Sequence, residues 1–159
     1  MANKKDIAAF EKMTYAQKRV AIAKDVIAQL DAGIYMPFSN YFFIEGSPTQ
    51  QLDDKSIRGT PCSVCAKGAF FVSRFGKFNG LPKMVPFEIG TRARALHRLP
   101  EFPASISRDI EQCFECYDPY KHLASVTADD RLRIIAQNII DNKGDFKPKE
   151  LIDYEVVEI

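Results

Sequence analysis

Two cysteine pairs, Cys62-x-x-Cys65 and Cys113-x-x-Cys116, are the residues of this 159-residue sequence whose spacing comes nearest to a metal-holding or redox arrangement. Four thiolates in two such pairs satisfy tetrahedral zinc. The 47 residues between the pairs exceed the spacing of a compact zinc ribbon, and both pairs fall in segments that read as amphipathic helices rather than glycine-bearing turns. Buried cysteine packs as a small hydrophobe, so packed thiols are the preferred expectation and zinc held by Cys62, Cys65, Cys113 and Cys116 is the alternative. A redox role for Cys62 and Cys65 would use a helix N-terminus to lower a thiol pKa. The buried strand that precedes such a pair in a βαβ unit is not expected, because residues 45–60 read as a polar loop. A Cys–His nucleophile pair would require His97 or His122, and two histidines are ordinary surface usage.

No phosphate-binding glycine loop, dinucleotide fingerprint, His-Glu-x-x-His or nucleophile elbow is present. The acid pairs have simpler roles, Asp53-Asp54 in a solvated loop and Asp129-Asp130 at a helix start. Binding is therefore expected rather than catalysis. The net charge of +1 hides an uneven distribution. Residues 55–98 carry nine basic side chains, Lys55, Arg58, Lys67, Arg74, Lys77, Lys83, Arg92, Arg94 and Arg98, against Glu88 alone, whereas residues 99–159 carry 7 basic and 13 acidic ones. Such a block suits an anionic partner, unless it faces the acidic C-terminal third within the fold. Arg74 and Lys77 combine phosphate-pairing groups with the rings of Phe71, Phe75 and Phe78, on which bases could stack. Apolar positions at helical spacing more often form core, and that is the preferred reading of the rings. Arg94 and Arg98 would share a helix face with His97 beside them. The candidate ligand-binding set is Arg74, Lys77, Arg92, Arg94, His97 and Arg98.

The elements that must position these residues are mainly helical. Thr14 is the expected N-cap of a helix over 15–32, with Gly33 as its left-handed stop and Val20, Ala23, Val26, Ile27 and Leu30 on its buried face. Lys18, Arg19, Lys24 and Asp31 should be solvated. A short helix over 4–12 precedes it. Tyr41-Phe42-Phe43-Ile44 reads as a short strand or extended segment. Pro61 suits the first position of a helix over 62–78, and a short basic helix is expected over 91–99. A helix over 104–117 follows Pro103. The last, begun after Thr127 and stopped by Gly144, buries Leu132, Ile135, Ala136, Ile139 and Ile140. The expected fold class is mainly α, one compact domain over 1–159 with five or six helices. It carries at most a small β element, drawn from the Tyr41 and Val156 regions, and its tail over 145–159 is extended or frayed. Val26, Leu30, Ala66, Ala69, Ile110, Phe114, Leu132, Ile135 and Ile139 should lie in the core.

Lys18-Arg19-Val20-Ala21-Ile22-Ala23-Lys24-Asp25-Val26, Cys62-Ser63-Val64-Cys65-Ala66-Lys67-Gly68-Ala69, and Arg131-Leu132 through Asn138-Ile139-Ile140 to Asn142-Lys143-Gly144 together resemble a family of small uncharacterised bacteriophage and bacterial proteins. The resemblance implies a phage or prophage context. Cys113 and Cys116 depart from the family pattern. The leading expectation is a non-enzymatic phage accessory protein that binds an anionic small molecule, a nucleotide signal of host defence, and sequesters it. The alternatives are an inhibitor or adaptor that binds a host protein, and a zinc-stabilised nucleic-acid-binding regulator. The near-neutral total charge disfavours an extended nucleic-acid surface. The N-terminus lacks an apolar signal core and no run approaches about 20 apolar residues, so the bacterial cytoplasm is the expected location, without a membrane partner. Self-association into a homo-oligomer is compatible with these patterns.

Overall fold

The computed structural model describes residues 4–37, 43–44, 62–78 and 99–154. Six α-helices occur among them: α1 (Lys4–Glu11), α2 (Tyr15–Asp31), α3 (Ala66–Phe78), α4 (Ala104–Phe114), α5 (Ala128–Asp141) and the single turn α6 (Lys149–Ile152). A 3₁₀ turn, Lys121–Ser125, joins α4 to α5. Three short strands, β1 (Tyr35–Pro37), β2 (Phe43–Ile44) and β3 (Cys62–Val64), form a sheet of order β1-β3-β2. The β1 and β3 strands are parallel, with Tyr35 opposite Cys62, and β2 runs antiparallel to β3, with Phe43 opposite Val64. The protein is thus mainly helical with a small β element.

Helix starts follow side-chain chemistry. The Thr14 hydroxyl accepts a hydrogen bond from the Gln17 backbone N–H at 3.2 Å, and Gln17 Oε1 accepts one from the Thr14 N–H at 2.9 Å, a reciprocal capping box that satisfies two orphan donors. Thr127 caps α5 by accepting from the Asp130 N–H at 3.2 Å. In α3 the Cys65 carbonyl accepts the first helical bond, from Ala69.

Three helices end in the same left-handed motif, in which the N–H two residues past the cap reaches back across six residues. Gly33 (φ 72°) ends α2 as expected. Cys116 (φ 59°) ends α4, which stops at Phe114 rather than Tyr117, with Tyr117 N–H donating to the Gln112 carbonyl. Lys143 (φ 57°), not Gly144, takes the left-handed position after α5, and Gly144 N–H donates to the Ile139 carbonyl. Gly144 (φ 98°) is needed for another reason, since a Cβ there would stand 2.1 Å from the Ala16 carbonyl oxygen. The α5 terminus is therefore pressed against the start of α2.

One apolar core joins the helices, and all nine residues named above for it are buried. Helix α2 lies between α5 and α3, and α4 packs on both of those. Within α2 the buried residues are Ile22, Ala23, Val26 and Leu30. Residues 62–64 depart from the expected helix. They pair on one side with β1 and on the other with β2, and this long-range pairing overrides the helix-starting signal of Pro61. A buried hydrogen bond of 2.8 Å between Tyr35 Oη and Ser73 Oγ fixes the sheet to α3. Tyr41, Phe42, the expected helix over 91–99 except for Leu99, which forms a bend, and Val156 lie outside the described residues.

Candidate functional site

Arg74, Lys77 and Phe78 occupy positions i, i+3 and i+4 of α3 and so share one face. Helix α1 covers it. The Phe10 ring stacks on Phe78 with centroids 4.1 Å apart and planes 14° apart, and the Arg74 guanidinium carbon lies 4.4 Å from the centre of the same ring. Lys18 Nζ approaches that ring at 5.2 Å. Asp6, one helical turn before Phe10, pairs with Lys77 Nζ at 3.2 Å. The face expected to offer cations and rings to a ligand is in this structure filled by an aromatic ring and a carboxylate from the protein's own N-terminal helix.

Beneath Phe10 the Arg74 Nε donates to Glu101 Oε1 at 2.6 Å. The Glu101 side chain is fully buried and that of Arg74 is 10% exposed. Neither Arg74 Nη1 nor Glu101 Oε2 has a hydrogen-bond partner, although both atoms are buried. Glu101 is held from behind by Arg19, whose Nη1 donates to its carbonyl at 2.8 Å while Nε donates to the Gly144 carbonyl at 2.6 Å. The Arg19 guanidinium is therefore a half-buried staple rather than the solvated charge expected from helical phase. Burial lowers its pKa from the ordinary arginine value, opposed by the neighbouring Asp145 and Glu101.

The basic block is matched internally wherever it is described. Lys67 Nζ pairs with Glu111 at 3.0 Å, Arg74 with Glu101 and Lys77 with Asp6. Two of these three partners belong to the acidic C-terminal third, so the internal-pairing alternative holds for Lys67 and Arg74. Phe71 and Phe78 are buried core residues, and the Phe75 side chain lies outside the described residues. Arg92, Arg94, His97 and Arg98 also lie outside them. Lys77 also borders a recess of about 10 Å³ with Asp25, Gln29 and Tyr35, room for one water molecule.

Cys65 and Cys113 are buried thiols. Burial pushes Cys65 up to about 11 and Cys113 up to about 12, and Cys116 is also raised. The phenol of Tyr120, hydrogen-bonded to Cys113, is itself raised to about 12, chiefly by burial. A strand does precede Cys65, contrary to expectation, yet the thiol at the head of α3 is raised, because desolvation exceeds the helix-start effect that activates a nucleophile. No group of three or more histidine, cysteine or acidic side chains that could hold a metal gathers among the described residues. His122 is engaged structurally, its Nε2 lying 2.8 Å from the Leu151 carbonyl oxygen.

Several polar residues that the sequence did not single out are structural. Arg131 is buried, donates through Nε to the Phe114 carbonyl at 3.0 Å and through Nη1 to the Val126 carbonyl at 2.5 Å, and holds the end of α4 to the start of α5. Asn138 donates to the Lys147 carbonyl at 3.1 Å and accepts from the Lys147 N–H at 2.9 Å, which folds the chain after α5 back onto it. Arg19, Arg131, Asn138 and Gly144 all fall in the segments that carry the family resemblance. No described helix is long and apolar enough to cross a membrane. No protein-family profile matches the chain, and neither a curated protein nor a solved structure is significantly similar to it.

Proposed function

We propose that this chain is a non-enzymatic binding protein that captures a phosphate-bearing small molecule, of the nucleotide class, through the basic segment between α3 and α4. One observation carries the reading. Lys67, Arg74 and Lys77 are each matched by an internal acid, so the rest of the block's excess charge is carried in sequence by Lys55, Arg58 and residues 79–98, where Lys83, Arg92, Arg94 and Arg98 stand against Glu88 alone. The Arg74–Glu101 pair ties the two flanks of that segment together, and Phe78 and Leu99 bury its two ends in the core. Arginine grips phosphate through two parallel hydrogen bonds, and a segment with both ends anchored loses less freedom on binding than a free tail. In the phage setting that the resemblance implies, retention without turnover would sequester a nucleotide signal of host defence.

The test is calorimetry with linear and cyclic nucleotides, preceded by native mass spectrometry of freshly purified protein for retained ligand, metal and oligomeric state. Arg94→Ala and Arg98→Ala should each weaken binding by about tenfold or more with little change in melting temperature, the loss of one charge-assisted hydrogen bond of about 1.5–3 kcal/mol. Absence of heat across the panel would remove the reading in favour of a host-protein partner. Co-purification with a host protein tests that second reading directly.

A further inference from the structure

We infer that the α3 face formed by Arg74, Lys77 and Phe78 is itself a binding site for a nucleoside phosphate, occupied in the resting protein by α1 as a stand-in for the ligand. The inference rests on the nucleotide reading above and assigns it a second set of contacts. Phe10 does what a base would do, stacking on Phe78 at 4.1 Å beneath the Arg74 guanidinium at 4.4 Å. Asp6 does what a phosphate would do, placing an anionic oxygen 3.2 Å from Lys77 Nζ. A ring and an anion one helical turn apart thus meet a ring and two cations on a single helix face.

A separate observation points to a ligand at this place. Arg74 Nη1 is buried without a hydrogen-bond partner, and so is Glu101 Oε2 across the same ion pair. Buried polar groups are almost always satisfied, so this donor and acceptor are left over by the docked state. With α1 displaced, Nη1 is free to meet a phosphate oxygen, and Oε2 can accept from a ligand hydroxyl or amino group. Glu101 also repels an anion placed too deep, which sets the phosphate nearer Lys77 and leaves the ring over Phe78.

Helix α1 is suited to leave. It has eight residues, too few for stability in water on its own, and α3 is the one described element it packs on extensively. The remaining helices hold one another through α2, α5 and Arg19 without it. Ligand and α1 then compete, and apparent affinity is reduced by the fraction of molecules with α1 docked.

The experiment uses the full chain and its Asp6→Asn and Phe10→Ala variants, titrated with adenosine triphosphate, adenosine and inorganic tripolyphosphate, together with hydrogen exchange on the free proteins. Asp6→Asn alters a half-exposed side chain and leaves the Phe10 seat intact, so it keeps the test sound if Phe10→Ala loosens the fold. Both variants should bind adenosine triphosphate about tenfold more tightly than the parent, and adding Lys77→Ala should abolish the gain. Adenosine and tripolyphosphate, each lacking half of the mimic, should bind more weakly than adenosine triphosphate to every variant. The amides of α1 should exchange well before those of α3 and α5. Binding by the parent that neither variant strengthens, or α1 amides that exchange together with α3, would overturn the site while leaving the basic segment's role intact. Failure of all chains to bind any nucleotide would overturn the nucleotide reading, and this site with it.

Discussion

Removing Arg74 tests whether the central ion pair is structural in a way that a purely ligand-binding arginine would not be. In Arg74→Ala the Glu101 side chain, fully buried and 2.6 Å from its partner, loses its counter-ion. Breaking a buried pair from one side costs about 3–5 kcal/mol, because the orphaned charge stays desolvated. In a chain of this length each kcal/mol lowers the melting temperature by about 2–4 °C, so a fall of about 6–20 °C is expected. The pair as a whole contributes far less, since its attraction must offset the desolvation of two ions and two of its polar atoms have no partner. Arg74→Met combined with Glu101→Leu should therefore recover most of the loss, ending within about 1 kcal/mol of the parent or above it. Urea unfolding of the parent, both single variants and the double variant measures the coupling directly. A loss under about 1 kcal/mol in Arg74→Ala, or a double variant whose loss equals the sum of the two singles, would refute the argument.

Gly144→Ala should destabilise by several times more than Gly33→Ala, because a Cβ at Gly144 meets the Ala16 backbone at 2.1 Å whereas at Gly33 it meets open space and only the left-handed φ is penalised; thermal melts of the two variants decide it. Ile135→Asp should leave the chain unfolded at room temperature by circular dichroism, since Ile135 is fully buried and an unpaired charge there costs roughly the whole margin of stability. Above about pH 9, stability should fall as pH rises, because the unfolded chain ionises its thiols near the ordinary 9.0 while Cys65 and Cys113 keep their protons to about 11 and 12, so the unfolded state holds fewer protons. Urea midpoints between pH 8 and 10.5 check the sign, and flat midpoints would contradict it. In the folded protein Cys116, the one partly exposed thiol among Cys65, Cys113 and Cys116, should react before the other two with a thiol reagent at pH 8, with mass spectrometry locating the adducts.

The helices were legible because their signals are local. Thr14 and Thr127 carry hydroxyls at cap positions, Gly33 lies just past the end of α2, and Ala23, Val26 and Leu30 of α2 and Leu132, Ile135, Ala136 and Ile139 of α5 face inward, although Val20 is not buried and Ile22 is. Where the reading departed from the structure, the deciding partner was remote. Cys62–Val64 became a strand because β1 and β2 flank it, and no feature within residues 60–66 announces them. Arg74 looks in sequence like any arginine beside phenylalanines; its carboxylate partner is 27 positions away. Arg19 was misplaced for the same reason, since its two acceptors are backbone carbonyls that composition cannot show. At Gly144 the glycine was noticed but its purpose was not, as the approach of Ala16 is a tertiary event. One signal was available: Phe10, Phe78 and Arg74 each sit on an amphipathic helix beside opposite charges, a pattern that invites pairing α1 with α3.

The bond from Arg19 to Gly144 spans 125 residues, and its companion to Glu101 spans 82. During synthesis α2 therefore emerges well before the α5 segment that covers it. At about 5–20 residues per second it waits about 6–25 s with Ile22, Val26 and Leu30 exposed before its α5 partner exists. Until then, of the described helices, only α3 can shield that face of the core, so completion of the fold waits on the last long helix.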